Sequence, residues 1–145
     1  MPLQQDLDHV HLSAAVDYSR LSNSNKLKVG AVLVTKAGVM IPGYNGDYPG
    51  GDNIIEEEIN GELITKPYVI HAELNCIIKA ARQGVKVDDS TVYITHSPCV
   101  HCASLMVASG IRRVVYKQEY KNLDGVYLLE GAGVLTEHKH RTRMK

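Results

Sequence analysis

The chain contains no tryptophan and no phenylalanine, carries no net charge (16 Lys and Arg against 16 Asp and Glu) and has three cysteines. Each shortage excludes something. A polynucleotide-binding surface usually joins a strongly basic face to aromatic stacking residues. Here the only basic cluster is the tail from Lys139 to Lys145, which reads as a solvated end, so no nucleic-acid partner is expected. An odd number of cysteines makes no disulfide framework and points to a reducing compartment. The longest apolar runs, such as Val29 to Thr35, fall far short of the ~20 residues of a spanning helix, so no membrane partner is expected either. The start, Met-Pro-Leu-Gln-Gln-Asp, lacks a basic stretch followed by an apolar one, and no secretory signal is read there. The expected location is cytoplasmic.

What is present is enough for one globular domain over residues 1–145, of which 44% are hydrophobic. A chain of this length buries roughly two-thirds of its unfolded surface. Asp6 to Ser19 reads as an amphipathic helix with Leu7, Val10, Ala14 and Tyr18 on its apolar stripe. The β-branched run Val29 to Val34 reads as a strand, with Val39 to Tyr44 as its hairpin partner. Residues 46–70, rich in Gly, Pro and acid, read as an inserted loop, in which Glu56-Glu57-Glu58 is a solvated helix face. His71 to Arg82 is a helix whose core face is Leu74, Ile77, Ile78 and Ala81, stopped by Gly84. Thr91 to Thr95 and Arg113 to Tyr116 read as strands, Cys99 to Ala108 and Asp124 to Glu130 as helices, and Gly133 to Thr136 as a short last strand. Residues 137–145 form the basic tail. Strands alternating with helices imply an α/β fold with a sheet covered on both faces.

Two segments carry chemistry: His71-Ala72-Glu73 and Pro98-Cys99-Val100-His101-Cys102, each at a helix start. Cys99 and Cys102 are three apart, so one helical turn brings both sulfurs to one side. The positive end of a helix favours thiolate over thiol. Zinc takes such N and S donors in a tetrahedron, and three protein ligands leave the fourth corner for water, the pattern of catalytic rather than structural zinc. Cys76 lies about 140° around the helix from His71 and reads as a small buried hydrophobe. His96 and His101 are competing ligand candidates, though a solvent-facing or hydrogen-bonded role is commoner for such residues. A lone C-x-x-C would be weak evidence. Joined to H-x-E in this order, it matches the zinc-deaminase signature. That pattern makes Glu73 an unliganded acid–base group that takes a proton from water and relays it to the ring nitrogen and then to the departing amine.

The segments Val29-Gly-Ala-Val-Leu-Val, Gly43-Tyr-Asn-Gly46, His71-Ala-Glu-Leu-Asn75, Ser97-Pro-Cys-Val-His-Cys102 and Ser109-Gly-Ile-Arg-Arg-Val-Val-Tyr116 resemble, in this order, the deoxycytidylate (dCMP) deaminases of the zinc-dependent cytidine deaminase superfamily. The resemblance runs from about Tyr18 to Tyr120. It implies a three-layer α/β/α sandwich with a central mixed five-stranded sheet. It implies hydrolysis of dCMP to dUMP and ammonia, with His71, Cys99 and Cys102 holding one zinc ion per chain. In that pattern Asn45 meets the deoxyribose and Ala72 offers its backbone to the base. Tyr120, Ser22, Asn25 and Lys28 meet the 5′-phosphate. Read as residues alone, Lys28 is equally an ordinary solvated lysine and Asn45 a turn residue before Gly46.

Family members are often hexamers, activated by dCTP and inhibited by dTTP with Mg²⁺. An effector site would draw on Gly43, Gly46, Gly51, Asp52, Asn53 and Arg82, although glycines with an aspartate also describe a flexible loop. Some members hold a second, structural zinc through Cys and His in the insertion, which here has neither, so a single zinc is expected. Two alternatives stay open. One keeps the chemistry with another substrate: a free nucleoside, a pterin or riboflavin precursor, or tRNA adenosine. The other is a non-catalytic zinc module, which would need a fourth protein ligand.

Overall fold

The computed structural model describes residues 2–139, so the segment 140–145 of the basic tail lies outside the described residues. Alternation sets the architecture. Along β1 (Gly30–Val34), β5 (Thr91–His96) and β6 (Arg113–Gln118), successive side chains enter two separate cores. Val32, Tyr93 and Val115 face Leu12 and Ala15 of helix α1 (Gln4–Ser19). Ala31, Leu33, Val92, Ile94, Val114 and Tyr116 face the opposite way. There they meet α2 (Ala72–Gln83), α3 (Val100–Ala108) and α4 (Asp124–Gly131). A strand buried on both faces needs apolar residues at every position, which is how these strands read.

The sheet has the order β2-β1-β5-β6-β7, with β2 spanning Met40–Tyr44 and β7 spanning Leu135–His138. β1 is antiparallel to both neighbours, while β5, β6 and β7 are parallel, so the sheet is mixed as expected. Layers of one helix, five strands and three helices form the α/β/α sandwich. Among the described residues no helix is long and apolar enough to cross a membrane.

Four local expectations are corrected. On α1 the buried residues are Asp8, Leu12 and Ala15, whereas Val10 and Tyr18 are exposed. The apolar stripe is displaced because Asp8 is drawn inward to Arg113 and Tyr93, an ionic anchor that outweighs exposed apolar area. On α2 the buried face is Ala72, Glu73, Cys76 and Ala80, and Ile78 is 49% exposed. Small residues win that face because α2 lies directly on Gly43 of β2, where an added Cβ would stand 2.6 Å from the Ala72 carbonyl oxygen. The acidic run is not helical: Glu56–Ile59 is strand β3, paired with β4 (Glu62–Thr65) across Asn60 and Gly61. Those two residues both have positive φ, 52° and 82°, as a two-residue hairpin turn requires. Finally, the last strand begins at Leu135 rather than Gly133, whose φ of 87° puts it in the preceding turn.

Candidate active site

Both chemistry-bearing segments sit at helix starts because each helix follows an extended residue that caps it. His71 precedes α2 with φ −69° and ψ 155°, and Cys99 precedes α3 with φ −73° and ψ 166°. The Cys99 sulfur accepts from the Cys102 backbone N–H at 3.5 Å, so the thiolate end of the ligand set doubles as the helix cap. α4 holds this turn in place. At Gly125 a Cβ would stand 2.1 Å from the Pro98 carbonyl oxygen, so only glycine lets α4 lie this close.

His71 Nδ1 is 3.1 Å from Cys102 Sγ and 3.8 Å from Cys99 Sγ. One donor atom from each of the three residues falls within 4.8 Å of the others. Donors bonded to zinc at ~2.3 Å for sulfur and ~2.0 Å for nitrogen stand about 3.5–3.8 Å apart in a tetrahedron, so the cluster fits zinc with shifts of a few tenths of an ångström. Among the described residues no other group of His, Cys, Asp and Glu gathers in this way. Cys76 is fully buried in the core behind α2, where burial pushes its thiol up to about 12. His101 lies exposed on α3, outside the cluster. His96 borders the cavity with Nδ1 at 2.9 Å from Thr95 Oγ1, and burial lowers its pKa.

The electrostatics separate two roles. Hydrogen bonding from the Cys102 side chain and from His71 lowers the Cys99 thiol to about 3, a ready anionic ligand. Cys102 is shifted upward by its bond to Cys99 and by burial. Glu73 is only 3% exposed, and burial raises its carboxyl to about 7. A carboxyl titrating near neutrality both takes and gives a proton at working pH.

A cavity opens over this cluster, bordered by His71, Ala72, Glu73 and Cys99. Asn45 and Tyr120 border it too, so five of the expected catalytic, metal and substrate residues besides Glu73 converge there. Asn45 also staples the cavity wall: its Oδ1 accepts from the Val29 N–H at 2.8 Å, and its Nδ2 donates to the Leu27 carbonyl at 2.8 Å. Ser22, Asn25 and Lys28 are not among the bordering residues. The Ser22 hydroxyl donates to the Asn45 carbonyl, the Lys28 ammonium donates to the Ser22 carbonyl, and the Asn25 N–H donates to Glu56. Their neighbours Ser24 and Lys26 border the cavity instead, and among the described residues Lys26 is the one lysine or arginine that does. The sequence signal was weak, since Lys26 and Lys28 differ only by position within one polar loop.

Of the residues expected around an effector, Gly51 and Asn53 both meet the Asp47 carboxylate. Gly43 lies under α2, and Arg82 is exposed in the last turn of that helix. Gly46 bridges to Ile70, and a Cβ on Gly51 would meet the Asp47 carboxylate. Asp52 lies 3.5 Å from Lys66, and Asn53 donates its N–H to Asp47.

Residues 4–118 match the cytidine and deoxycytidylate deaminase zinc-binding region. The chain is 33% identical over 125 residues to the deoxycytidylate deaminase of Mycobacterium phage D29, across 79% of this chain and 96% of that protein. It is 35% identical over 120 residues to the ComE operon protein 2 of Bacillus subtilis (strain 168), across 80% of this chain but only 62% of that longer protein. The solved dCMP deaminase of cyanophage S-TIM5, in complex with dCMP and dUMP, shares the fold with a TM-score of 0.86 at 33% identity, over 94% of this chain and 98% of that one.

Proposed function

The chain belongs to the cytidine and deoxycytidylate deaminase family, and on that premise we propose that it hydrolyses dCMP to dUMP and ammonia. One observation carries the reading. A buried carboxyl, Glu73, lies two residues from His71 in a cavity that also meets Cys99 and Lys26. The solved relative with dCMP and dUMP supports the choice of substrate.

His71, Cys99 and Cys102 would hold zinc, which when bound supplies Lewis-acid activation of water at neutral pH. The chain's own residues do the rest. Glu73, deprotonated, takes a proton from the attacking water and donates it to N3 of the cytosine, which makes C4 electrophilic. After the water oxygen bonds to C4, Glu73 takes the remaining proton of that hydroxyl and delivers it to the amino nitrogen; the C4–N bond breaks, ammonia leaves and C4 is left as the carbonyl of uracil. Pro98 and Ala72 wall the cavity beside the base, and Asn45 and Tyr120 are assigned to the sugar and phosphate end. Lys26 replaces Lys28 in this assignment because Lys26 borders the cavity and Lys28 does not.

Activation by dCTP, inhibition by dTTP with Mg²⁺, and a hexamer extend this reading on family resemblance alone. An ultraviolet assay of zinc-loaded protein with dCMP, deoxycytidine, CMP and dCTP, each with and without added dCTP or dTTP, tests it. Turnover is expected with dCMP above the others. A fully loaded sample inert toward dCMP overturns the reading.

A further inference from the structure

The insertion between β2 and α2 places Thr65 and Val69 at the cavity, and one of its carboxylates, Glu56, holds the loop of Ser24 and Lys26 on the cavity wall. Glu56 opens β3 and is 6% exposed, unlike Glu57 and Glu58, which face solvent. Its Oε2 accepts from the Ser24 hydroxyl at 2.5 Å and from the Lys26 N–H at 3.1 Å. The Asn25 N–H lies 3.1 Å from both carboxylate oxygens. Three donors of one short loop therefore converge on a single side chain some thirty residues later. The loop adds its own closure, with the Leu27 N–H donating to Ser24 Oγ and the Ser24 N–H to Ser22 Oγ. The hairpin base is pinned independently by the Lys66 N–H donating to the Ile55 carbonyl.

Two of the three donors to Glu56 are backbone N–H groups, so they fix the path of the chain rather than any one side chain. The residues whose path is fixed, Ser24 and Lys26 together with Leu27, are the ones that border the cavity. The buried Ser24 hydroxyl left without its acceptor would cost more than a typical hydrogen bond contributes, and two part-buried N–H groups would lose theirs with it, so the loop would rearrange if the carboxylate were lost. An isolated two-stranded hairpin is otherwise marginal, and its eight residues are exposed except for Glu56. Thr65, at the end of β4, borders the cavity itself, and Glu56 is the side chain through which the hairpin holds the loop that borders it.

We propose that Glu56 is a positioning residue for nucleotide recognition: it sets the Ser24–Lys26 backbone so that the Lys26 ammonium meets the 5′-phosphate of a nucleoside monophosphate. The assignment rests on the dCMP reading, and it gives the insertion a part in substrate affinity separate from the proton chemistry at Glu73. An amide at this position removes the negative charge and, with its carbonyl oxygen in the place of Oε2, turns its N–H₂ group toward the Asn25 N–H, so Glu56→Gln weakens the arrangement without changing size.

The test is a double-mutant cycle on zinc-loaded protein, measuring KM and kcat for dCMP in wild type, E56Q, K26M and the double variant. Each single variant is expected to raise KM about tenfold with kcat largely kept, as loss of a charge-assisted contact to phosphate would do. Because Glu56 acts through Lys26, the double variant is expected to be no worse than either single one. Glu56→Asp, which keeps the charge, should recover part of the affinity, and it serves alone if E56Q does not fold by circular dichroism. A merely structural Glu56 would instead lower zinc content and kcat, and its effect would add to that of K26M. Additive KM losses, a fall in kcat at constant KM, or an unchanged KM in the Glu56 variants would each overturn the assignment. Wild type inert toward dCMP would fail the dCMP reading itself, whereas active wild type with indifferent Glu56 variants fails only this inference.

Discussion

The Arg113 guanidinium grips both carboxylate oxygens of Asp8, at 2.9 and 2.7 Å, joining α1 to β6 across 105 positions of sequence. Tyr93 and Gln4 donate to the same carboxylate, and Glu137 takes the outer side of the guanidinium at 2.7 Å. Burial alone would raise the Asp8 pKa, but these donors, Arg113 first, outweigh it and hold the carboxyl at about 2 against an ordinary 3.8. A depressed carboxylate contributes stability that is fully present above its unfolded value and lost as pH falls through the folded one. Thermal melts should therefore show a loss of about 2 kcal/mol between roughly pH 4 and pH 2 that D8N lacks. R113M, which strands the buried carboxylate, should cost about 3–5 kcal/mol at neutral pH. Equal melting temperatures of wild type and R113M would show that the pair contributes nothing.

Glu73→Gln keeps the size of the side chain and removes its proton traffic. Zinc content by atomic absorption is expected to stay at the wild-type level, because His71, Cys99 and Cys102 are untouched. The kcat for dCMP should fall by at least about 10²–10⁴-fold, the span of general acid–base catalysis. Retained turnover in a zinc-replete sample would remove Glu73 from the mechanism.

The chemistry was legible because its spacing is local. One helical turn joins Cys99 to Cys102, and each motif sits beside its own cap. The packing faces of the helices were not. Which side of α1 is buried depends on Arg113, more than a hundred residues away, and the apolar stripe of Leu7, Val10 and Tyr18 gives no hint of it. On α2 the longer aliphatics lie at the edges, since contact with Gly43 rewards the short side chains of Ala72, Cys76 and Ala80. The choice between Lys26 and Lys28 likewise depends on Glu56, which no spacing rule connects to that loop. The hairpin is a different case: Asn60-Gly61 is a strong short-range turn signal, but the three glutamates before it carry the polarity of a solvated helix face and mask it.

Removing zinc should change which cysteines react. Treatment with a chelator at neutral pH should abolish turnover, and added zinc should restore it. In the chelated protein Cys99, half-buried and with its thiol lowered to about 3, should be alkylated by iodoacetamide within minutes at room temperature. Cys76, buried and pushed up to about 12, should stay unmodified in either form. Peptide mass spectrometry resolves the sites. Rapid labelling of Cys99 in zinc-loaded protein would contradict its role as a ligand.

Gly43→Ala places a methyl where the structure has no room for one. The new Cβ would lie 2.6 Å from the Ala72 carbonyl oxygen and 2.9 Å from Cys76 Sγ, and the first of these is backbone that cannot swing aside. α2 must therefore lift from β2, and overpacking of this kind costs about 1–3 kcal/mol. The displaced backbone is the first turn of α2, which carries Glu73 and follows directly from His71, so the damage should not stop at stability. Zinc affinity, read by competition with a chromogenic chelator, is expected to fall along with the melting temperature. Substitution at Gly38, where a Cβ would meet nothing within 4 Å but φ is 92°, gives the comparison. There the strain lies in the hairpin turn between β1 and β2, so the melting temperature should fall with zinc affinity unchanged. Equal effects of the two substitutions on zinc affinity would mean that close packing at Gly43 is not what sets His71 against the two sulfurs.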